Sequence, residues 1–200
     1  MDFYVYPGTL VLNNKFGIRD PELLAGIEAD ATSRRILFLE FKPSPSTFYV
    51  SDYLDIHWYI FQDMYTWAGK VRTVELARSG QMSFARIDNI DSCLFALFEA
   101  LHETNFLREL DLETFCNQAA YFLGELNAIH PFRDGNGRTQ RAFLSQLARG
   151  AGFVIRWFQI SKDEMYEASQ QSFQYGDSTG FERLLLTATH PTESANETHQ

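Results

Sequence analysis

What this 200-residue chain lacks narrows its function before any motif does. It has no basic excess: 17 Lys and Arg stand against 26 Asp and Glu, a formal net charge of -9, whereas a nucleic-acid binder is expected to show a basic face. It has only two cysteines, Cys93 and Cys116, both in helical and largely apolar patterns, which reads as buried thiols in a reducing compartment. No apolar run approaches the ~18 residues needed to span a bilayer. Met1-Asp2-Phe3-Tyr4 has neither the basic start nor the apolar core of a secretory signal, so the expectation is a cytoplasmic protein without membrane contact. No Gly-x-x-x-x-Gly-Lys-Ser/Thr occurs, which excludes a P-loop. What the chain has is a globular composition, 45% hydrophobic and 15% aromatic with 18 Phe, and a length suited to one domain with a real core.

Helical spacing dominates. Asp20-Pro21 supplies an N-cap and a first-position proline for a helix through Leu23, Leu24, Ile27 and Ala31. Lys42-Pro43-Ser44-Pro45-Ser46 is a break, and a second helix is expected from about Ser51 to Trp67, closed by Gly69. From Val71 to Phe84 the pattern alternates, with Ser79-Gly80 as a turn, and predicts a β-hairpin. Helical periodicity returns from Ile87 to Leu101 and from Phe115 to Ile129. It returns again from about Arg138 to Gly150 or Gly152, and after the Ser161-x-x-Glu164 capping box. Asp177 is placed to start a last helix. No repeat or composition break divides the chain, so residues 1–189 read as one all-α domain, a helical bundle with one hairpin, and the polar residues 190–200 as a disordered tail.

The chemistry concentrates in His130-Pro131-Phe132-Arg133-Asp134-Gly135-Asn136-Gly137-Arg138-Thr139-Gln140-Arg141, between two helical patterns. Gly135-Asn136-Gly137 lets successive N–H groups turn toward one point, and the next helix adds its unpaired N–H groups and positive dipole end there. Arg138 and Arg141 share a helix face and can each fork onto phosphate oxygens. Asp134 is placed to hold Mg²⁺, which takes one or two protein carboxylates beside phosphate oxygens. His130, with an unperturbed pKa near ~6.5, can accept a proton from an incoming hydroxyl. Phe132 faces the other way and anchors the loop in the core. Taken singly, a histidine at a helix end is usually structural, a Gly-Asn-Gly usually only a turn, and two arginines a solvated face. A calcium loop is excluded because Arg138 stands at its fifth position. The ordered combination suits one task, holding a nucleotide polyphosphate and its metal beside a base.

This stretch resembles the signature of the Fic family, His-Pro-Phe-x-Asp/Glu-Gly-Asn-Gly-Arg-x-x-Arg, at every specified position. Ile56-His57 with Phe61 to Gly69, Gly124-Glu125-Leu126-Asn127 and Gly176-Asp177 extend the similarity over most of the chain. The resemblance implies the Fic fold with a short β-hairpin flap, and transfer of AMP from ATP to a hydroxyl of a target protein with release of pyrophosphate. It implies His130 as general base and Asp134 as Mg²⁺ ligand. Gly135, Asn136 and Gly137 would lie on the α- and β-phosphates, Arg138 on the β- and Arg141 on the γ-phosphate. The segment Gly80-Gln81-Met82-Ser83-Phe84 would belong to a flap that registers the target strand, or would merely cover the core. Asn127, a turn before His130, and Lys162 are nucleotide-contact candidates, with structural roles equally open.

Many family members carry an inhibitory Ser/Thr-x-x-x-Glu-Gly/Asn helix whose Glu pairs with the residue equivalent to Arg141. Ser178-x-x-x-Glu182 is followed by Arg183, and Thr189-x-x-x-Glu193 spans Pro191; neither fits. The chain therefore resembles members inhibited by a separate small antitoxin, with type II topoisomerase subunits as first candidate targets. Other transferred groups within the fold (another nucleotide monophosphate, phosphocholine or the γ-phosphate), and a binding module without turnover, are the competing readings.

Overall fold

The computed structural model describes residues 2–42, 45, 47–77 and 83–192. Helix α1 spans Pro21–Glu40, with the Asp20 carboxylate accepting from the Leu23 N–H. Then come α2 Val50–Phe61, α3 Ile90–Glu103, α4 Leu112–Ile129, α5 Asn136–Gly150, α6 Lys162–Tyr175 and α7 Thr179–Ala188. Side chains close several of these ends: Asp111 accepts from the Thr114 N–H, and Ser161 with Glu164 forms the reciprocal capping box. Asp177 accepts from the Thr179 N–H at the start of α7.

Three boundaries differ from the sequence reading for identifiable reasons. The second helix ends at Phe61 rather than near Trp67. The apolar residues beyond it keep helical spacing, but their backbone groups are taken elsewhere: Lys15 donates through its N–H to the Met64 carbonyl and through Nζ to the Gln62 carbonyl. The hairpin is narrower than expected. Ala77 and Ser83 form one antiparallel bridge, and the Phe84 N–H donates to the Leu76 carbonyl. Gly80, Gln81 and Met82 at its tip lie outside the described residues. Below the bridge no ladder forms, because the Thr73 N–H donates to the Tyr4 hydroxyl and Arg72 claims the Val74 and Ala85 carbonyls. The tail is not disordered from its first residue: Thr189–Pro191 is strand β2, antiparallel to β1 Phe153–Ile155 with Val154 opposite His190. Residues 193–200 lie outside the described part.

Helices α4 and α5 form the middle of the molecule. Helix α5 packs against α1 and α2, while α4 packs against α3, α6 and α7. Their contact is built of aromatics: Phe143, fully buried, meets Phe48, Tyr53, Phe98 and Phe122 with ring centroids between 5.4 and 5.7 Å apart. The loop joining α4 to α5 thereby lies between two helices held by this buried aromatic cluster. Replacing Phe143 by Ala should cost about 3–5 kcal/mol and lower the thermal midpoint by roughly 10 °C, measured by circular dichroism. A loss under about 1 kcal/mol would show that this ring cluster does not organise the core.

Candidate active site

The loop from His130 to Gly135 reverses the chain between α4 and α5. His130 is the C-terminal cap of α4 in the left-handed region, φ 48° and ψ 60°, where a non-glycine residue sits only if its surroundings hold it. Arg72, buried to 2% exposure, does the holding. Its Nε donates to the His130 carbonyl at 2.9 Å and its main-chain N–H to the Pro131 carbonyl at 2.8 Å. Asn136 closes the turn with both ends of its amide, accepting from the Phe132 N–H at 3.0 Å and donating to the Phe132 carbonyl at 2.8 Å. The Gly135 carbonyl accepts from both the N–H and the hydroxyl of Thr139.

His57 completes the set. Its Nδ1 accepts from the Gly69 N–H at 2.8 Å, so Nε2 carries the proton and donates to the Asp134 carbonyl at 3.0 Å. Its ring stacks on Phe132, centroids 3.8 Å apart, and burial pulls its pKa down to about 4. Five loop carbonyls are thus turned into the protein. Helix α5, by contrast, begins at Gly135 with no side-chain cap, leaving its first N–H groups without intrahelical partners. Gly135 is required twice over: its φ is 83°, and an added Cβ would come within 2.3 Å of the Phe61 ring.

A cavity of about 270 Å³ opens between α4, α5 and α6. His130, Gly137, Arg141, Asn127 and Lys162 line it together with Gln140, Leu123, Met165, Tyr166, Ser169 and Phe181. Arg141 makes no ion pair among the described residues. Burial first, and then the neighbouring charge of Arg138, pulls its guanidinium below the ordinary range. An arginine in that position favours an anion. The His130 ring stacks on Phe84, centroids 3.9 Å apart, which fixes its orientation from the flap side. Asn127 both donates to the Ser169 carbonyl and accepts from its hydroxyl, tying α4 to α6 at the cavity wall.

Asp134 and Arg138 stand beside the cavity rather than on its wall. Asp134 accepts from the Gly135 N–H and its side chain is about half exposed. Arg138 lies over the Phe61 ring, with the Glu28 carboxylate 2.6 Å away and that of Asp134 3.7 Å away. The Asn136 side chain is spent on the turn, so only its main-chain N–H is left to meet a ligand. Ser83 is exposed on the flap, with Phe84 buried beneath it. Arg72 and Glu28 escaped the sequence reading. For Arg72 a signal existed: it alternates onto one strand face with Val74 and Leu76, an unlikely place for a charge without buried partners.

Comparison with known proteins decides the family. Residues 47–148 match the model of the Fic/DOC family. The chain belongs to it. "Protein adenylyltransferase VbhT" of Bartonella schoenbuchensis is 39% identical over 184 residues, 92% of this chain and 38% of that protein. The chain thus spans well under half of that relative's length. "Probable protein adenylyltransferase Fic" of Escherichia coli is 32% identical over 184 residues, covering 92% of this chain and 90% of its own. Among solved structures, BepC of Bartonella tribocorum with bound AMPPNP superposes with a TM-score of 0.90 at 30% identity, over 95% of this chain and 97% of that one. The mainly helical Fic fold is therefore shared over nearly all of the chain.

The His57 pin gives the loop a pH signature. Its folded pKa of about 4 lies below the unfolded value of ~6.5, so its stabilising effect is complete above pH ~6.5 and fades as pH falls toward 4. The stability advantage of the native chain over His57→Gln should narrow by up to roughly 3 kcal/mol between pH 7 and 4 in urea titrations. A gap that stays constant with pH would mean His57 is not held neutral.

Proposed function

We propose that this Fic-family chain is a protein adenylyltransferase, moving AMP from ATP to a hydroxyl side chain of a target protein. The observation that carries this reading is the half-buried Arg141, without an acidic partner among the described residues, in one cavity with His130 and beside the uncapped start of α5. Those groups suit a triphosphate whose tail ends at Arg141 and whose α-phosphorus lies next to His130. Gly135, Gly137 and the Asn136 N–H then serve the α- and β-phosphates, and Arg138 the β-phosphate. The target hydroxyl oxygen attacks the α-phosphorus as His130 takes its proton. A bond forms from that oxygen to phosphorus, the bond to the bridging oxygen breaks, and pyrophosphate departs. Asn127 and Lys162 line the same cavity as nucleotide contacts.

Mg²⁺ fits the donor set. Among the described residues no cluster of three His, Cys, Asp or Glu could hold a metal alone, and the half-exposed carboxylate of Asp134 matches an ion bound mainly through phosphate oxygens. When bound there, the ion neutralises charge on the phosphates during transfer.

The target strand is read by the flap, of which Ser83 and Phe84 form the described edge, through added main-chain hydrogen bonds. Inhibition comes from a separate antitoxin whose Ser/Thr-x-x-x-Glu helix offers a glutamate to Arg141, which makes no ion pair among the described residues. On the resemblance, type II topoisomerase subunits are the first targets to test. No described helix is long and apolar enough to cross a membrane, and the acidic surface favours a protein substrate over nucleic acid.

Incubation with α-labelled ATP, Mg²⁺ and lysate should label a discrete protein. His130→Ala should reduce that label by about 10²–10⁴-fold, while γ-labelled ATP should give no label on that protein beyond that seen with His130→Ala. His130-dependent label from the γ-position, or α-label that survives in His130→Ala, would contradict the assignment.

A further inference from the structure

Resting on the nucleotide-binding reading of the loop, the geometry points to Glu28 of α1 as the positioning residue that holds Arg138 in its phosphate-facing place and keeps it off Asp134. Arg138 stands between two carboxylates. Glu28 Oε1 lies 2.6 Å from its Nη1, while Asp134 Oδ1, one helical turn back, lies 3.7 Å from its Nη2. The Glu28 side chain is the more buried of the two acids, 13% exposed against 46% for Asp134, so its attraction for the guanidinium is the less screened.

Three further residues fix the clamp. The Tyr65 hydroxyl donates to the other Glu28 oxygen, Oε2. Thr32 donates its hydroxyl to the Glu28 main-chain carbonyl at 2.8 Å and accepts from Arg138 Nη1 at 3.4 Å. The Phe61 ring supports the guanidinium from below, 4.5 Å from centroid to Cζ. Burial, followed by the Glu28 hydrogen bond and charge, pushes the Tyr65 hydroxyl above its ordinary range, so it stays a donor. Without Glu28, the nearest acid left to Arg138 is Asp134 at the helical i,i+4 spacing, where a closed ion pair forms readily. That pair would occupy at once the cation meant for a phosphate and the carboxylate meant for the metal. Glu28 lies more than a hundred residues before the signature and belongs to no motif, which is why the sequence does not expose it.

The test is a double-mutant cycle read by calorimetric binding of AMPPNP with Mg²⁺ to the full chain. Glu28→Gln should weaken binding about tenfold, and Glu28→Asp should restore part of that loss. In an Arg138→Gln background, Glu28→Gln should change affinity less than about twofold, because the group it positions is gone. Tyr65→Phe, which leaves the ion pair intact, should give a smaller loss in the same direction and guards against a Glu28 variant that unfolds. Unchanged or tighter binding in Glu28→Gln, or an equal loss in both backgrounds, overturns the clamp. If the native chain binds AMPPNP and Arg138→Gln binds it equally well, the phosphate role of Arg138 fails first, and the clamp with it.

Discussion

Everything at this site depends on where the carbonyl oxygens of one short loop point. A chain reversal exposes both amide and carbonyl groups, and a polyphosphate tolerates only the amides. Here Arg72 takes the carbonyls of His130 and Pro131, Asn136 that of Phe132, His57 that of Asp134 and Thr139 that of Gly135. With those dipoles turned inward, the first turn of α5 carries no side-chain cap, and its Gly137 lines the cavity. The same bonds hold His130 in a backbone conformation it would not choose, and the Phe84 ring fixes its imidazole from the flap side. In the proposed reaction, binding and base catalysis therefore share one scaffold.

That scaffold also explains how a chain of net charge -9 would hold the proposed tetraanionic nucleotide. Net charge describes the far field, whereas the site works within a few ångströms, where burial lets two guanidiniums and a helix terminus act with little screening. Arg141 and Arg138 differ in kind. The first makes no ion pair among the described residues, and in the proposed reading it receives a phosphate or a partner's glutamate. The second is already engaged by Glu28, which costs it some attraction for phosphate and gives it a fixed place.

The signature loop was legible because its chemistry is local: base, carboxylate, glycines and arginines lie within twelve residues. Helices with polar caps were legible too, as the Asp20 and Ser161 ends show. What the sequence hid is what distant segments do to one another. The alternation from Val71 suggested a longer hairpin because period-two spacing does not reveal that Arg72 would spend its hydrogen bonds on the loop and on neighbouring carbonyls. Residues beyond Phe61 kept helical spacing while Lys15 drew off their carbonyls. The backbone role expected of Asn136 was local to its loop, whereas the part its side chain plays in latching the turn to Phe132 was not legible. The three-residue strands 153–155 and 189–191 are too short to leave a periodic signal.

The central claim is directional: the triphosphate lies with its tail at Arg141 and its α-phosphorus beside His130. A crystal structure of the full chain with AMPPNP and Mg²⁺ tests this directly. The account predicts the γ-phosphate on the Arg141 guanidinium, the α-phosphorus within reach of His130 and the metal on Asp134. A nucleotide bound in the opposite sense, with its γ-phosphate beside His130, or density for nucleotide elsewhere with this cavity empty, would contradict it.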